Sequence, residues 1–479
     1  MAAPLTPDLC VIGAGASGIA VAEAAVRLGA SVAMVERGTA GGQSLRSGAL
    51  ALAALGAAAE KAAAFRKGAA FGVTPEEPRV NFRRMRDHIA EILTEAAPDS
   101  GPAKLTALGI DLHKATARFI DQRTLWAGND TEIRARRFVI ATGARPLLPD
   151  VPGLLSVPFF TTETIFENTR KLSHLLVIGA GPMGIEIALS YRRLGCDVTL
   201  IEPGPILAGA DPELAEIALR RLRDDGVNLL DTATVVSLHA RSQGIGVVAR
   251  SGDGSINLDV SHILVAPVRA PNLLELDLDA AKVKREAMGT MDGLKLNASL
   301  RTSNPRVFAL GEAMGPGVAH DAAAEADIVV RTALLGRPAR YEPEAAARLT
   351  LTDPPIAEIG LTEPLARARF KDAYTVVRAP FSSSERARAT RETGGVVKVI
   401  VAPDGHILGA GMVGPGAGEL AAILGLCIAR KMKLAELAGL SVPFPGHGEL
   451  LRQLGEKAAA GNSPSALESR LLALNRLLP

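Results

Sequence analysis

Two glycine-rich turns of the same pattern constrain the fold of this chain more than any other feature. The first, residues 13–18 (GAGASG), follows an apolar run at 9–12, and the second, residues 179–184 (GAGPMG), follows one at 175–178. A helical stretch and another apolar run come after each turn, and the second run ends in Glu36 or Glu202 at the same spacing. Each block therefore predicts a strand–turn–helix–strand unit, and the repeat predicts two dinucleotide-binding units of the Rossmann type.

The glycines of each turn have separate physical roles. Gly13 and Gly179 make the tight turn, Gly15 and Gly181 let the backbone approach a pyrophosphate, and Gly18 and Gly184 permit close packing of helix on strand. The pyrophosphate is expected at the helix N-terminus, with Glu36 and Glu202 accepting hydrogen bonds from ribose hydroxyls. Glu202 would repel a 2′-phosphate, and the following Pro203 and Gly204 supply no arginine, so NADH is favoured over NADPH.

Composition excludes several classes of function. With 53 Lys and Arg against 51 Asp and Glu, the net charge of +2 argues against nucleic acid as a partner. The three cysteines Cys10, Cys196 and Cys427 cannot build a disulfide framework, and we interpret them as small buried hydrophobic residues. The N-terminus resembles no signal peptide and no long apolar run predicts a membrane span, so we expect a cytoplasmic protein.

The sequence predicts a division of the whole chain into four segments. We predict a first nucleotide domain at 1–150, a second at 151–272, a return to the first at 273–343, and an α+β interface domain at 344–479. The predicted elements are helices at 49–68 and 75–96, a hairpin at 112–126, strands at 137–142, 306–310, 374–378 and 396–401, and helices around 419–431. The fold class is α/β, with two Rossmann-like three-layer ββα domains and a C-terminal α+β dimerisation domain.

Further segments make the chain similar to the flavoprotein disulfide reductases, in particular to the dihydrolipoamide dehydrogenase and mercuric reductase branches. These are residues 141–146 (ATGARP), 302–312 (TSNPRVFALGE), 318–326 (VAHDAAAEA), 380–387 (PFSSSERA) and 409–420. The resemblance implies FAD in the first unit, NAD(H) in the second, and a homodimer. The implied FAD contacts are Gly13, Gly15, Gly18, Glu36, Gly42, Ala117, Ala141, Thr142, Gly143, Gly311, Glu312 and Ala319, and the NAD contacts are Gly179, Gly181, Gly184 and Glu202.

The departures from the family pattern limit the chemistry. Ser44 and Ala49 stand where the family has its redox-active cysteine pair, and neither side chain relays electrons as a thiolate does. The family lysine falls on Ala53, so its ion pair with Glu186 is lost. The family histidine that a neighbouring subunit contributes falls on Phe444, whereas its glutamate partner remains as Glu449. Disulfide reduction by the family's usual route is therefore excluded.

The candidate catalytic residues are Ser44, Arg46, Glu186, His320, His447 and Glu449, with no metal site. Arg46 has two open roles: it binds an anionic acceptor, or it pairs with the FAD pyrophosphate or a carboxylate such as Glu449. His447 either replaces the lost histidine or is a surface histidine. His320 is either a proton-transfer group or a helix-capping or flavin-edge contact.

Three functions remain open. The first is an FAD-dependent NADH oxidoreductase that passes electrons directly to a small non-disulfide acceptor: a quinone, a small organic oxidant, oxygen or a metal ion. The second is a catalytically silent dimer that binds FAD and NADH and has a regulatory role. The third is a flavin enzyme whose own organic substrate binds in the former disulfide pocket.

Overall fold

The computed structural model of the 479-residue chain describes residues 3–43, 46–128, 131–289, 291–315, 321–460 and 466–476. The N-terminal helices are α1 (Ala16–Arg27), α2 (Ala49–Arg66), α3 (Phe82–Ala96) and α4 (Pro102–Ala107). The strands of this part are β1 (Leu9–Ile12), β2 (Val32–Glu36), β3 (Ile110–Lys114), β4 (Arg118–Phe119), β5 (Leu125–Trp126), β6 (Glu132–Ile133), β7 (Arg137–Ile140) and β8 (Ala144–Pro146).

The middle of the chain adds twelve strands and three helices within the described residues. The strands are β9 (Phe160–Thr161), β10 (His174–Ile178), β11 (Asp197–Ile201), β12 (Asn228–Leu230), β13 (Ala233–Ala240), β14 (Ile245–Ser251), β15 (Gly254–Val260), β16 (His262–Val265), β17 (Arg269–Pro271), β18 (Arg285–Met288), β19 (Met291–Leu294) and β20 (Val307–Ala309). The helices are α5 (Pro182–Arg193), α6 (Pro212–Asp224) and α7 (Ala322–Ala333).

The C-terminal part contains an antiparallel sheet with helices. Its strands are β21 (Arg348–Thr350), β22 (Ile356–Gly360), β23 (Thr375–Pro380), β24 (Val396–Val401) and β25 (Ile407–Val413), in the order β21-β22-β25-β24-β23. Its helices are α8 (Glu363–Phe370), α9 (Glu385–Thr390), α10 (Ala417–Ala429), α11 (Glu449–Ala460) and α12 (Ala466–Asn475).

Two five-stranded parallel sheets contain the glycine turns. Their strand orders are β20-β7-β1-β2-β3 and β12-β11-β10-β16-β9. In both, the strand before the glycine turn is central, and it pairs with the strand that ends in Glu36 or directly precedes Glu202. The three-stranded sheets β4-β5-β6 and β13-β14-β15 share buried cores with these parallel sheets. The predicted fold class, with two ββα nucleotide domains and a C-terminal α+β domain, is confirmed.

Buried apolar side chains explain why the parallel strands are central. All of β1 is buried, as are four of the five residues of β2 and of β10, because both faces of each strand are covered. In the first sheet, the Phe119 ring meets Phe138 edge-on at 5.4 Å, which packs the three-stranded layer onto β7.

The described chain divides into two compact units. The nucleotide unit comprises residues 1–207 with 223–343, and the C-terminal unit comprises 208–222 with 344–479. The division into four segments at 150, 272 and 343 remains a prediction. Within the described residues, no helix has the length and apolarity that a membrane crossing requires.

Two predicted elements were wrong in their extent. The helix expected from residue 75 begins at Phe82, because Pro75 and Pro78 disfavour helical backbone and Asn81 caps the helix by accepting from the Arg84 N–H at 3.1 Å. The hairpin expected over 112–126 is only the β4–β5 pair, since residues 110–114 form the edge strand of the first parallel sheet.

Candidate functional site

The carboxyl ends of the first parallel sheet border a cleft of about 800 Å³. Strands β1, β2, β7 and β20 all end at this edge, where ligands bind in folds of this class. Ten of the twelve predicted FAD contacts line the cleft: Gly13, Gly15, Glu36, Gly42, Ala117, Ala141, Thr142, Gly143, Gly311 and Glu312. Gly18 is buried in α1, where its predicted role is packing, and Ala319 lies outside the described residues.

Absent side chains shape the floor of this cleft. A Cβ atom on Gly42, whose φ is +62°, would come within 2.7 Å of the Gly15 Cα. The loop after β2 therefore lies directly on the first glycine turn. A residue with a side chain at position 42 would prevent this contact. A Cβ atom on Gly18 would likewise collide with the Gly13 carbonyl, which explains why helix and strand pack so closely there.

The two fingerprint helices begin without a capping side chain among the described residues. The N-cap residues of α1 and α5 are Gly15 and Gly181, and neither helix has an acidic residue in its first turn. By contrast, Asn81, Asp321 and Ser384 cap α3, α7 and α9 through their side chains. The free N–H groups and positive ends of α1 and α5 are thus available to an anion, as a bound pyrophosphate requires.

The two acidic residues are held against their glycine turns. Glu36 accepts hydrogen bonds from the Ala14 N–H at 2.7 Å and the Gly38 N–H at 2.6 Å. Glu202 accepts one from the Ala180 N–H at 2.6 Å. The equal sequence spacing therefore has a local cause, because in both units the carboxylate closes the turn that a dinucleotide would contact.

A polar cluster that sequence reasoning missed stands beside the cleft. Arg269 donates to the Glu312 carboxylate at 2.8 Å and to the Ala144 carbonyl at 2.5 Å, and it also contacts Gln43. Gln43 in turn donates to Glu163 at 2.8 Å. Gln43, Glu163 and Glu312 line the cleft. Gln43 thus ties the loop after Gly42 to residues more than 100 positions away, which no sequence pattern predicted to be near it.

The turn that carries Glu312 is held by a hydrogen bond to a buried residue of α7, and it borders the start of that helix. Glu325 is fully buried and accepts from the Gly311 N–H at 2.7 Å. Asp321 caps α7, and the next residue, Ala322, lines the cleft. His320 lies outside the described residues, so its two open roles stay as predictions.

Comparison with known proteins agrees with this geometry. Residues 7–326 match the model of the pyridine nucleotide-disulphide oxidoreductases, and residues 346–454 match the dimerisation domain of that family. The chain belongs to this family. Membership implies FAD and a pyridine nucleotide as cofactors and supports a homodimer, and the cradle of glycines and uncapped helix ends fits both cofactors.

The relatives cover nearly the whole length of the chain. Dihydrolipoyl dehydrogenase from Geobacillus stearothermophilus is 29% identical over 463 residues, which are 94% of this chain and 96% of the relative. A mercuric reductase from Streptomyces lividans is 30% identical over 455 residues, 93% of this chain and 94% of the relative. The solved structure of the HOCl-induced flavoprotein disulfide reductase RclA from Escherichia coli has the same fold, with a TM-score of 0.80 at 23% identity over 94% of this chain and 99% of RclA.

The cysteines lie away from the cleft that the family uses. Cys10 is in β1, Cys427 in α10, and Cys196 directly precedes β11; all three are buried and free. Burial raises the pKa of each thiol above its usual value, so none is a ready thiolate. Their interpretation as small buried hydrophobic residues is confirmed. Ser44 lies outside the described residues, and Ala49 is the first residue of α2.

The remaining candidates have different environments. Arg46 lines the cleft, and its guanidinium lies near the Gly38 turn, beside Glu36. Glu186 is buried in α5, which packs against α2, the helix that carries the exposed Ala53. In this nucleotide unit, Arg46 thus stands toward the Glu36 end of the cleft.

His447 and Glu449 belong to the C-terminal unit. The His447 ring lies 5.6 Å from the Phe381 ring, and burial lowers the pKa of its imidazole. Glu449 is buried and accepts from the Glu385 N–H at 2.8 Å, at the start of α9. Phe444, at the position of the family histidine, is 77% exposed.

Proposed function

We propose that this protein is an FAD-dependent NADH oxidoreductase that passes electrons from flavin directly to a non-disulfide acceptor. The acceptor is a quinone, a small organic oxidant, oxygen or a metal ion. The observation that carries the proposal is the position of the three cysteines, all buried outside the cleft, with Ser44 and Ala49 at the family's thiol positions. Without a thiol beside the cofactor, a dithiol relay has no chemical basis.

The residues of the cleft bind and orient the cofactor. The uncapped N–H groups at the start of α1 suit the FAD pyrophosphate, and Glu36 suits the adenosine ribose. Arg269 holds Glu312 at the cleft wall through the 2.8 Å bond, in position for a ribityl hydroxyl. When bound, FAD supplies hydride acceptance from the nicotinamide and electron donation to the acceptor.

The preference for NADH rests on negative charge near Glu202. Glu202 directly follows β11, and Asp231 accepts from the Ile206 N–H at 3.3 Å, which brings a second carboxylate to the loop after Glu202. Two carboxylates near one loop disfavour a 2′-phosphate. We expect kcat/KM for NADH to exceed that for NADPH, and Glu202→Ala to narrow the ratio by roughly tenfold. An unchanged ratio would argue that Glu202 does not select the cofactor.

Anaerobic titration of the FAD-loaded protein with NADH tests the proposal. We expect complete bleaching of the flavin at one NADH per FAD and no further electron uptake. A requirement for two NADH would reveal a second redox group and overturn the non-disulfide mechanism. A flavin that NADH leaves oxidised would instead support a silent, regulatory dimer.

Reoxidation then identifies the acceptor. Menadione, ferricyanide, oxygen and Hg²⁺ are mixed separately with the NADH-reduced protein in a stopped-flow instrument, and the return of flavin absorbance is timed. We expect at least one of them to reoxidise the flavin rapidly. Oxidised lipoamide should not, and rapid turnover with it would contradict the proposal.

A second candidate function is favoured by the polar cluster of Gln43, Glu163 and Arg269. These groups give the former disulfide loop a hydrogen-bonding surface that suits a polar organic substrate. Ligands that perturb the flavin spectrum are screened against the wild type, Gln43→Ala and Arg46→Ala. A ligand whose Kd rises only in Gln43→Ala would support this second function, whereas no spectral response would leave the direct-transfer proposal in place.

A further inference from the structure

Four arginines gather at the edge of the first parallel sheet opposite the cleft. Arg136 and Arg137 stand at the start of β7, Arg306 directly precedes β20, and Arg301 lies in the preceding turn. The Arg137 and Arg306 guanidinium groups both donate to the Arg136 carbonyl, at 2.9 and 3.4 Å. Like charges are therefore held together at one point, and we name these four residues the arginine edge.

The arginine edge is not neutralised by the protein. Among the described residues, Asp8 is its carboxylate partner, 3.2 Å from Arg136. Asp8 also accepts hydrogen bonds from the Ser31 N–H at 3.0 Å and from the Ser31 hydroxyl at 2.9 Å. Its carboxylate is therefore shared between Arg136 and Ser31. Burial, followed by the charges of Arg306, Arg136 and Arg301, lowers the pKa of Arg137. Four cations face one anion, which leaves an excess of about three positive charges.

Leucines surround the arginines on the same edge. A recess of about 250 Å³ is lined by Arg136, Arg137, Leu28, Leu334 and Leu335. Leu28 is 52% exposed and Leu335 is 46% exposed. Leu108, 37% exposed, precedes β3 and so stands at the same amino edge of the sheet, since parallel strands begin at a common edge. Exposed leucines beside an excess of positive charge form an amphipathic surface.

We propose that the arginine edge and its leucines dock this protein on the surface of an anionic lipid bilayer. Arginines bind lipid phosphates through their forked donors, and each net cation near an anionic membrane strengthens partitioning roughly fivefold. The leucines enter the headgroup region and bury apolar area that water otherwise covers. Exposed leucines beside the arginines favour a lipid surface as the partner. They would add less to the binding of an acidic protein or a free anion.

The orientation leaves the cofactor cleft in water. The cleft lies at the carboxyl ends of the strands and the arginine edge at their amino ends, separated by strands of four or five residues. Docking therefore does not cover the cleft, and the proposal does not depend on which acceptor the protein uses.

Vesicle sedimentation of the full-length, FAD-loaded protein tests the proposal. Vesicles of phosphatidylcholine alone are compared with vesicles that contain 30% phosphatidylglycerol, at low and high NaCl. We expect binding to the anionic vesicles at low salt and release at about 0.5 M NaCl, because screening shortens the Debye length. Arg136→Glu with Arg306→Glu changes the charge by four units and should weaken binding about 600-fold. Leu28→Asn with Leu335→Asn should weaken it without abolishing its salt dependence.

The matched control reverses the same number of charges elsewhere. Arg83 and Arg84 are exposed on α3, and the double variant Arg83→Glu with Arg84→Glu should retain binding. Flavin bleaching by NADH should be unchanged in all variants, which separates loss of docking from loss of fold. If the control variant weakened vesicle binding equally, binding would depend on the net charge of the protein and not on the arginine edge, and the proposal would be overturned. Binding of inorganic phosphate or polyglutamate at the arginine edge, without any vesicle binding, would overturn it in favour of a small anion or an acidic protein.

Discussion

Glu325 is a fully buried carboxylate that sets the shape of the cleft without lining it. It lies in α7, and its Oε2 accepts from the Gly311 N–H at 2.7 Å. Gly311 has a φ of +65° and starts the turn that carries Glu312. Burial of a charge is costly unless hydrogen bonds satisfy it, so the contact has to persist for the turn to stay in place. Glu325 is therefore a positioning residue for Glu312.

Substitution of Glu325 should release this turn. Glu325→Ala leaves the Gly311 N–H without its acceptor and opens a cavity, so we expect a loss of about 2–4 kcal/mol in unfolding free energy and less FAD per chain. Glu325→Gln keeps an acceptor oxygen and should lose less unfolding free energy and less FAD than Glu325→Ala. Urea unfolding and the ratio of flavin to protein absorbance measure both effects. Glu91→Ala, at an exposed site on α3, is the control, and equal behaviour of all variants would contradict the assignment.

Asp321 places a negative charge at the start of α7. Its Oδ1 accepts from the Ala323 and Ala324 N–H groups, each at 3.0 Å, beside the cleft-lining Ala322. This helix end borders the cleft in which we propose that FAD binds. A carboxylate there offsets the positive end of the helix that would otherwise favour anionic reduced flavin.

Removal of that charge should make the flavin easier to reduce. Asp321→Ser keeps a capping oxygen but not the charge, and we expect the midpoint potential to rise by roughly 5–20 mV. Anaerobic redox titration against a reference dye measures the potential. Asp279→Ser, which removes another carboxylate of the same unit, should leave the potential unchanged. A lower potential in Asp321→Ser would contradict the electrostatic argument.

The sequence predicted those site residues whose neighbours are local. Gly13, Gly15 and Glu36 occur on one strand–turn–helix–strand unit, so their spacing alone placed them at one strand edge. The hydrogen bond from Arg269 to Gln43 joins residues that are 226 positions apart, and no sequence motif relates the two. Tertiary packing decides such contacts, which is also why the role of Glu325 was missed.

At the scale of elements, one buried lysine joins two helices to the C-terminal sheet. Lys398 on β24 lies 2.9 Å from Asp211, 3.0 Å from Glu213 and 2.7 Å from Glu363. Asp211 and Glu213 stand at the start of α6, and Glu363 begins α8. Residues 208–222, which include most of α6, belong to the C-terminal unit, and this network ties them to its sheet.

Loss of Lys398 should destabilise that unit in a pH-dependent way. A hydrogen bond from Lys398 lowers the pKa of Glu363, and one from Arg378, followed by Lys398, lowers that of Glu213. The resulting stability is present above about pH 4.5 and falls as pH drops below it, when the carboxylates become protonated. Lys398→Met leaves the buried Asp211 carboxylate without its cation, whereas Glu213 and Glu363 keep Arg378, so we expect a loss of about 3–5 kcal/mol at pH 7.

The measurement is urea unfolding of both proteins at pH 7 and at pH 4. The difference between Lys398→Met and the wild type should shrink at pH 4, since protonated carboxyl groups no longer need the lysine. Lys61→Met, at an exposed site on α2, should behave as the wild type at both pH values. If Lys398→Met lost the same unfolding free energy at both pH values, the loss would come from packing and not from the ion pairs.

At the scale of the whole molecule, α10 is too apolar for a helix that faces water. Its sequence AGELAAILGLCIA contains a single charged residue, Glu419. One face packs into the core of the C-terminal unit through Leu420, Leu424 and Cys427, yet Leu426 on the opposite face is 58% exposed in a single chain. A helix that is apolar on every side is normally buried, and the family match over 346–454 is to a dimerisation domain.

A charge at Leu426 should therefore separate the subunits. We expect the wild type to have twice the 49.7 kDa chain mass in size-exclusion chromatography with light scattering, and Leu426→Glu to approach the mass of one chain. Leu155→Glu is the matched control, because Leu155 is 84% exposed in the nucleotide unit and should tolerate a charge without loss of the dimer. FAD should remain bound to the Leu426→Glu monomer, since the described walls of the cleft all belong to one nucleotide unit. A variant that keeps the mass of two chains would exclude the exposed face of α10 from the interface, and a monomer that loses FAD would show that the cleft needs the partner subunit.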